Sequence, residues 1–213
     1  SLLLSLSMGQ DYSLSFDGVD DWVGFSSALL LQPEAFTISV NLRPDESHDS
    51  AGRVYNQQDG GQFHIILSEN YQNEFQFGVN CNGWQKVDTE ILYDNMDHEY
   101  TAIYIAHTGL KLYRDGFLVD SLTNTSMGTC NTNSELPGIG GPIHDEQTDQ
   151  RYKGTISNMS IWEGVLNQDE ISNYILNGVT ENSTDLISNW NFNAGVGDTL
   201  YDYSGNGNHG IIH

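Results

Sequence analysis

Two neighbouring stretches decide the fold: Tyr100-Thr101-Ala102-Ile103-Tyr104-Ile105-Ala106, and then Leu110-Lys111-Leu112-Tyr113-Arg114-Asp115-Gly116. In a strand, successive side chains point to opposite faces, so a two-residue period marks a strand with two different environments. Both stretches alternate in this way. Asp115-Gly116 supplies residues that tolerate the positive φ of a tight hairpin turn. The segment therefore predicts antiparallel strands that bury one face.

The same pattern extends outward. Tyr12–Phe16, Phe36–Leu42, Gln62–Leu67, Glu74–Val79 and Thr155–Trp162 also read as strands, with Asn82-Gly83 and Asp59-Gly60 as further turns. Many short strands at this spacing imply two packed sheets. One helix interrupts them, near 168–177. Asn167 and Glu170 form a capping-box pair, and Ile171, Tyr174 and Ile175 make an apolar stripe expected to face the core. Asn177-Gly178 supplies the stop. Trp22, Trp162 and Trp190 sit on patterned segments and are expected to be buried. A chain of 213 residues can build a full core as one domain. No apolar run is long enough to span a bilayer.

Twenty-nine acidic residues against seven basic ones give a formal charge of −22. Phosphate neutralisation needs clustered Lys and Arg, so nucleic acid is excluded as a partner. Solvation alone accounts for such a surface, although carboxylates recruit calcium where several oxygens converge. Cys81 and Cys130 belong to no zinc or redox motif. They are either two buried thiols or a disulfide; the latter would close a loop of about 50 residues, worth roughly 4 kcal/mol by loop entropy. Asn124, Asn158 and Asn182 each open an N-glycosylation triplet, which points to an extracellular address.

No catalytic constellation emerges. Glycoside hydrolysis needs two carboxyl groups on a shared face, and no strand carries such a run. Asp45-Glu46, Asp97-His98-Glu99 and His144-Asp145-Glu146 lie in polar, turn-like segments that read as solvated loops. The seven histidines have neither nucleophile nor metal-ligand spacing, and nucleophile elbows and phosphate loops are missing. The reading is a non-enzyme. A glycan platform usually sets an exposed aromatic beside amides and carboxylates, and Trp84 and Tyr71 have such flanks, against the alternative that each is core.

Three ordered blocks make the chain resemble the laminin-G-like, concanavalin A-like jelly-roll family. They are Tyr12-Ser13-Leu14-Ser15-Phe16-Asp17-Gly18-Val19-Asp20-Asp21-Trp22-Val23, the hairpin Leu110 to Gly116, and a final block. That last block runs from Gly154-Thr155-Ile156 to Trp162, through Trp190-Asn191-Phe192-Asn193, to Asp202-Tyr203-Ser204-Gly205-Asn206-Gly207-Asn208-His209-Gly210. The resemblance implies an all-β, two-sheet antiparallel jelly-roll sandwich, and relatives that are lectins, carbohydrate-binding modules, adhesion domains or enzyme appendages. It also implies one structural calcium, with Asp17, Asp20, Asn158 and Asp202 as ligands. Asp202, Ser204, Asn206 and Asn208 alternate in a loop that either holds an ion or forms Asx turns alone. The chain departs from the family pattern at Ser157-Asn158, where Asp-Glu is frequent, and around Glu99-Tyr100, where a Trp is frequent.

Residues 1–10 precede this domain, which is assigned to 11–213. Leu2, Leu4, Leu6 and Met8 occupy one face of an extended chain. The segment reads as a signal remnant, as a strand packed in its own sandwich, or as a strand donated to a neighbouring copy. Burying four such side chains would contribute roughly 6–12 kcal/mol before ordering costs, and head-to-tail donation without closure generates a filament. The sequence alone thus suggests a secreted, non-enzymatic surface protein that self-assembles through this strand. The alternative is a calcium-dependent carbohydrate-binding or adhesion module.

Overall fold

The alternating segments do become strands, and they pair into two antiparallel sheets. The computed structural model describes residues 12–31, 33–47, 51–58, 63–70, 72–81, 83–130, 135–141, 150–180, 183–193 and 196–213. The candidate donor residues Leu2, Leu4, Leu6 and Met8, along with Tyr71, Asn182 and His144-Asp145-Glu146, lie outside the described residues.

The first sheet contains β1 (Leu14–Asp17), β3 (Ala35–Pro44), β8 (His98–Ile105), β9 (Gly109–Arg114), β10 (Phe117–Thr123), β12 (Lys153–Glu163) and β13 (Leu186–Trp190). Its order is β1-β12-β3-β8-β9-β10, with β13 also paired to β12. β1 takes Lys153 to Ile156 of that strand and β13 takes Met159 to Trp162. The second sheet contains β2 (Val23–Phe25), β4 (Arg53–Gln58), β5 (Phe63–Glu69), β6 (Glu74–Cys81), β7 (Trp84–Glu90), β11 (Gly138–Ile139), β14 (Thr199–Leu200) and β15 (Gly210–Ile212). It runs β14-β15-β2-β11-β4-β5-β6-β7. The strands that the alternation did not anticipate are short, as β11 and β14 are, or mixed in polarity, as β7 and β10 are. Their pairing partners make them strands.

The core lies between the sheets. Phe36, Ile38, Val40 and Leu42 of β3 point into it, as do Tyr100, Ala102 and Tyr104 of β8 and Phe75, Phe77 and Val79 of β6. Ring pairs hold the two layers together: Phe75 stacks on Tyr100 with centroids 4.0 Å apart, and Phe36 meets Phe77 edge-on at 6.0 Å. Cys81, at the end of β6, is joined by a disulfide to Cys130, beyond β10. This resolves the two sequence alternatives in favour of the bridge. Trp162 and Trp190 are buried as expected, whereas Trp22 is half-buried, stacked on the His213 ring at 4.2 Å.

The hairpin and the helix match their local signals. Asp115 and Gly116 both have positive φ, 52° and 79°. Helix α1 (Gln168–Asn177) starts with the full capping box of Asn167 and Glu170 and stops at Gly178, whose N–H donates to the Tyr174 carbonyl. One expectation fails. Ile171 and Tyr174 are buried, but Ile175 is 39% exposed. The helix lies on the outer face of the first sheet, not in the main core, so its covered stripe is narrower than the apolar stripe. No helix among the described residues is long and apolar enough to cross a membrane.

Candidate functional site

The site is built on the face of the first sheet that points away from the core. Along β3 the outward residues are Thr37, Ser39, Asn41 and Arg43, which grade from small hydroxyls to an amide and a guanidinium. Their cross-strand partners grade in parallel, forming rows across three strands spaced about 4.8 Å apart. Trp162, Thr37 and Ile103 form the first row, Ser160, Ser39 and Thr101 the second, and Asn158, Asn41 and Glu99 the third.

Helix α1 roofs the first two rows. Ile171 packs with Ile103 and Tyr113, and Trp162 meets Tyr174 edge-on at 4.9 Å. The Tyr174 hydroxyl donates to Ser160 Oγ at 3.1 Å. Beyond Gly178 the roof ends, and the third row opens into a cleft of about 760 Å³. Its floor and walls include Asn41, Arg43, Asp97, Glu99, Ser157 and Asn158, with Tyr12, Asn191 and Asn193 at one side.

Glu99 is the central group. It is only 7% exposed, and Ser39 Oγ donates to its Oε1 at 2.6 Å. Ser39 Oγ also lies 2.6 Å from Thr101 Oγ1; because Ser39 has one proton, Thr101 donates to it when it donates to Glu99. Burial raises the Glu99 carboxyl to about 7, aided by the Asp115 charge and opposed by hydrogen bonds from Ser39 and Asn41. Next to it, His98 Nδ1 lies 2.7 Å from Asp115 Oδ2 and Nε2 lies 3.1 Å from Asp94 Oδ2. Burial disfavours a charge on this ring, but the two carboxylates outweigh it and raise the imidazole above its ordinary value. The expectation of a solvated Asp97-His98-Glu99 loop is therefore corrected. His98 and Glu99 open β8 and are buried, because Asp115 of the next hairpin turns back to accept the Glu99 N–H at 3.0 Å.

The remaining polar groups complete the cleft. The Ser157 hydroxyl donates to Asn41 Oδ1 at 2.7 Å, and Arg43 Nε lies 3.8 Å from Asp97 Oδ1. Asn158 Oδ1 is buried with no hydrogen-bond partner among the described residues, so it gains from any donor that reaches it. A β-bulge at Ser157 shifts the β12 register and brings both Ser157 and Asn158 to this floor. Both departures from the family pattern, Ser157-Asn158 and Glu99, thus meet in one cleft. The arrangement offers an open row of uncharged or neutralised donors and acceptors, suited to a polyhydroxylated ligand.

The four calcium ligands expected from the resemblance do not come together. Asp17 pairs with Lys153 on β12, whereas Asn158 lies five residues further along that strand, roughly 16 Å away. Asp202 is committed elsewhere: Oδ1 accepts the N–H groups of Asn189 and Ser204, and Oδ2 accepts Ser204 Oγ and the Asn208 N–H. Asn206 and Asn208 donate their side-chain amides to the Ile187 carbonyl, so this loop is pinned to β13 by groups that an ion would otherwise use. Asp17 and Asp20 do meet, together with Asp21, which the sequence reading omitted. One ligand oxygen from each lies within 4.8 Å of the others, a spacing that a divalent cation can bridge. Asp17 Oδ1 also accepts the Val19 N–H at 2.7 Å, as an Asx turn does.

Trp84 lies on the outer face of the second sheet, on the opposite side of the sandwich from the cleft. It is 43% exposed, and its indole lies across Gly78, where there is no room for a Cβ. Asn124 is half-buried after β10, and Asn158 is a strand residue on the cleft floor.

A family model described as the concanavalin A-like lectin/glucanases superfamily matches residues 17–172. No curated protein sequence matches significantly. Several solved structures share the fold. A candidate carbohydrate-binding protein of Bacteroides ovatus has a TM-score of 0.75 at 14% identity; the match covers 94% of this chain but only 57% of that one. The heptameric SAP-like pentraxin of Limulus polyphemus has a TM-score of 0.63 at 14% identity, covering 94% of this chain and 93% of that one. The CBM40 of Ruminococcus gnavus IT-sialidase, solved with α2,3 sialyllactose, has a TM-score of 0.60 at 14% identity, covering 75% and 94% respectively. At these identities the likeness is one of fold.

Proposed function

The chain belongs to the concanavalin A-like lectin/glucanases superfamily, and we propose on that premise that it is an extracellular, non-catalytic glycan-binding module. The observation that carries this reading is the Asn158–Asn41–Glu99 row, open at the foot of α1 and flanked by Arg43 and Asp97. Sugar hydroxyls need paired donors and acceptors on a rigid surface, and a pleated sheet supplies them. The carboxyl groups are engaged, Glu99 by Ser39 and Asp97 beside Arg43, which suits recognition better than a free acid and base. The disulfide fits an oxidising compartment. The carbohydrate-binding proteins among its fold relatives support the same class.

A glycan array followed by calorimetric titration of the best sugar tests this reading. Asn41→Ala and Asn158→Ala are each expected to weaken binding about tenfold, the cost of leaving a hydroxyl unpaired. Trp84→Ala, on the other face, is expected to leave it unchanged. Absence of any bound glycan, or loss of binding only in the Trp84 variant, would refute this site. Repeating the titration in EDTA and in calcium tells whether an ion at Asp17, Asp20 and Asp21 takes part.

A second reading keeps self-assembly through Leu2, Leu4, Leu6 and Met8. An apolar groove of about 180 Å³ lies where the described chain begins, lined by Leu14, Phe192, Leu200, Tyr203 and Ile212 beside Tyr12. It runs between the edge strands β1 and β14, where an added strand would find both backbone partners and side-chain pockets. Deletion of residues 1–9 is expected to convert polymers to monomers in light scattering and electron microscopy. An undeleted chain that is monomeric at all concentrations ends this reading.

A further inference from the structure

We propose that the glycan taken by this cleft carries an apolar substituent, an alkyl or acyl chain, which lies on a shelf formed by Phe117, Leu118, Ile175 and Leu176. The inference rests on the glycan reading of the cleft and names the class of glycan. Ile175 and Leu176 line the polar cleft on one side and a second hollow of about 460 Å³ on the other, whose far wall is Phe117 and Leu118. The polar and apolar surfaces are thus continuous across one turn of α1.

Three of these four side chains are left mostly to solvent. Phe117 is 76% exposed, Leu118 51% and Leu176 80%, while the helix buries Ile171 and Tyr174 against the sheet instead. Single exposed apolar residues are ordinary, but four converging from two elements form a patch of the kind that marks a binding surface. The two elements are also braced. Gln168 Nε2 donates to the Gly116 carbonyl at 2.6 Å, and a Cβ added at Gly116 would meet Ile175 Cδ1 at 3.3 Å. The hairpin tip and the helix therefore form one rigid shelf, so little ordering cost remains for a ligand.

Charge selects the occupant. A chain of formal charge −22 opposes an anionic bilayer at close approach, whereas an uncharged alkyl or acyl chain meets no such barrier. Continuity with the cleft then requires one molecule with a hydroxylated end and an apolar end.

Methyl and hexyl β-D-glucopyranosides, β-D-galactopyranosides and N-acetyl-β-D-glucosaminides, each below its micelle concentration, are titrated into the whole chain. At least one hexyl glycoside is expected to bind tenfold or more tighter than its methyl partner, since its added methylenes leave water. The Phe117→Ser/Leu118→Ser double variant, altered only at exposed positions of the hairpin outside the polar cleft, is expected to erase that difference and keep the methyl affinity. Methyl and hexyl glycosides that bind equally to the unaltered chain overturn the shelf alone, and so does a double variant that retains the hexyl preference. Glycosides that fail to bind in either form overturn the shelf together with the glycan reading. A concentration-dependent dimer abolished in the double variant reassigns the patch to a second copy and also overturns the proposal.

Discussion

Replacing Cys81 and Cys130 together by alanine is expected to lower the unfolding free energy by about 4 kcal/mol. The bridge spans a sequence separation of 49, and cross-linking a loop of that length removes roughly 4 kcal/mol of chain entropy from the unfolded state. For a chain of 213 residues this corresponds to a drop of about 9 °C in melting temperature. Both residues are buried, Cys81 at 2% and Cys130 at 0% exposure, so the variant also loses packing where β6 meets the loop after β10. Thermal or denaturant unfolding of the two proteins measures the difference. A loss below about 1 kcal/mol would mean that the unfolded chain is already restrained there, contrary to the entropic account.

The second large effect concerns Glu99 and pH. Its carboxyl is raised from 4.5 to about 7 in the folded chain, so between these values the folded state holds a proton that the unfolded state has released. Stability falls wherever the folded state binds more protons and pH increases. The contribution of Glu99 is therefore fully present below about pH 4.5 and is lost as pH rises through about 7, a change on the order of 3 kcal/mol. His98 acts in the same sense. Its imidazole is raised by Asp115 and Asp94 against burial, so its stabilisation is complete below 6.5 and disappears as pH rises through the higher folded value.

Glu99→Gln resembles the protonated acid in shape but cannot ionise. It is expected to match the parent at pH 5 and to exceed it by about 3 kcal/mol at pH 8. The acidic surface also relaxes as pH falls, but that effect is common to both proteins and cancels in the comparison. Urea unfolding at the two pH values measures it, and a variant with the same pH slope as the parent shows that Glu99 is not the titrating group.

The fold was legible where the signal is local. Asp115-Gly116 demanded a positive-φ turn and has one; Asn167 and Glu170 demanded a helix start and cap each other across three residues. The alternation in β3, β6 and β8 placed Phe36, Phe77 and Tyr104 in the core because a strand has only two faces and the apolar one is readable. The errors share a cause. Ile175 continues the helical stripe, and Asp97-His98-Glu99 looks like solvated charge, yet their burial depends on what is packed against them. Ile175 stands at the rim of the helix contact, and Glu99 is held by Ser39 at its carboxyl and by Asp115 at its backbone.

By itself, then, the sequence determined that this is a sandwich of alternating strands with one capped helix, and it left Cys81 and Cys130 as either thiols or a bridge. It also carried the raw material of the cleft, in the progression Thr37, Ser39, Asn41, Arg43 and in the departures at Ser157-Asn158 and Glu99. Only the tertiary structure decided that these residues form one site. The row Asn158–Asn41–Glu99 requires β12 to pair beside β3, β3 beside β8, and a bulge at Ser157 to set the register. Such pairings join residues far apart in the chain, and no local propensity encodes them. For the same reason the shelf of Phe117, Leu118, Ile175 and Leu176 emerges only when a hairpin tip and a distant helix are packed together.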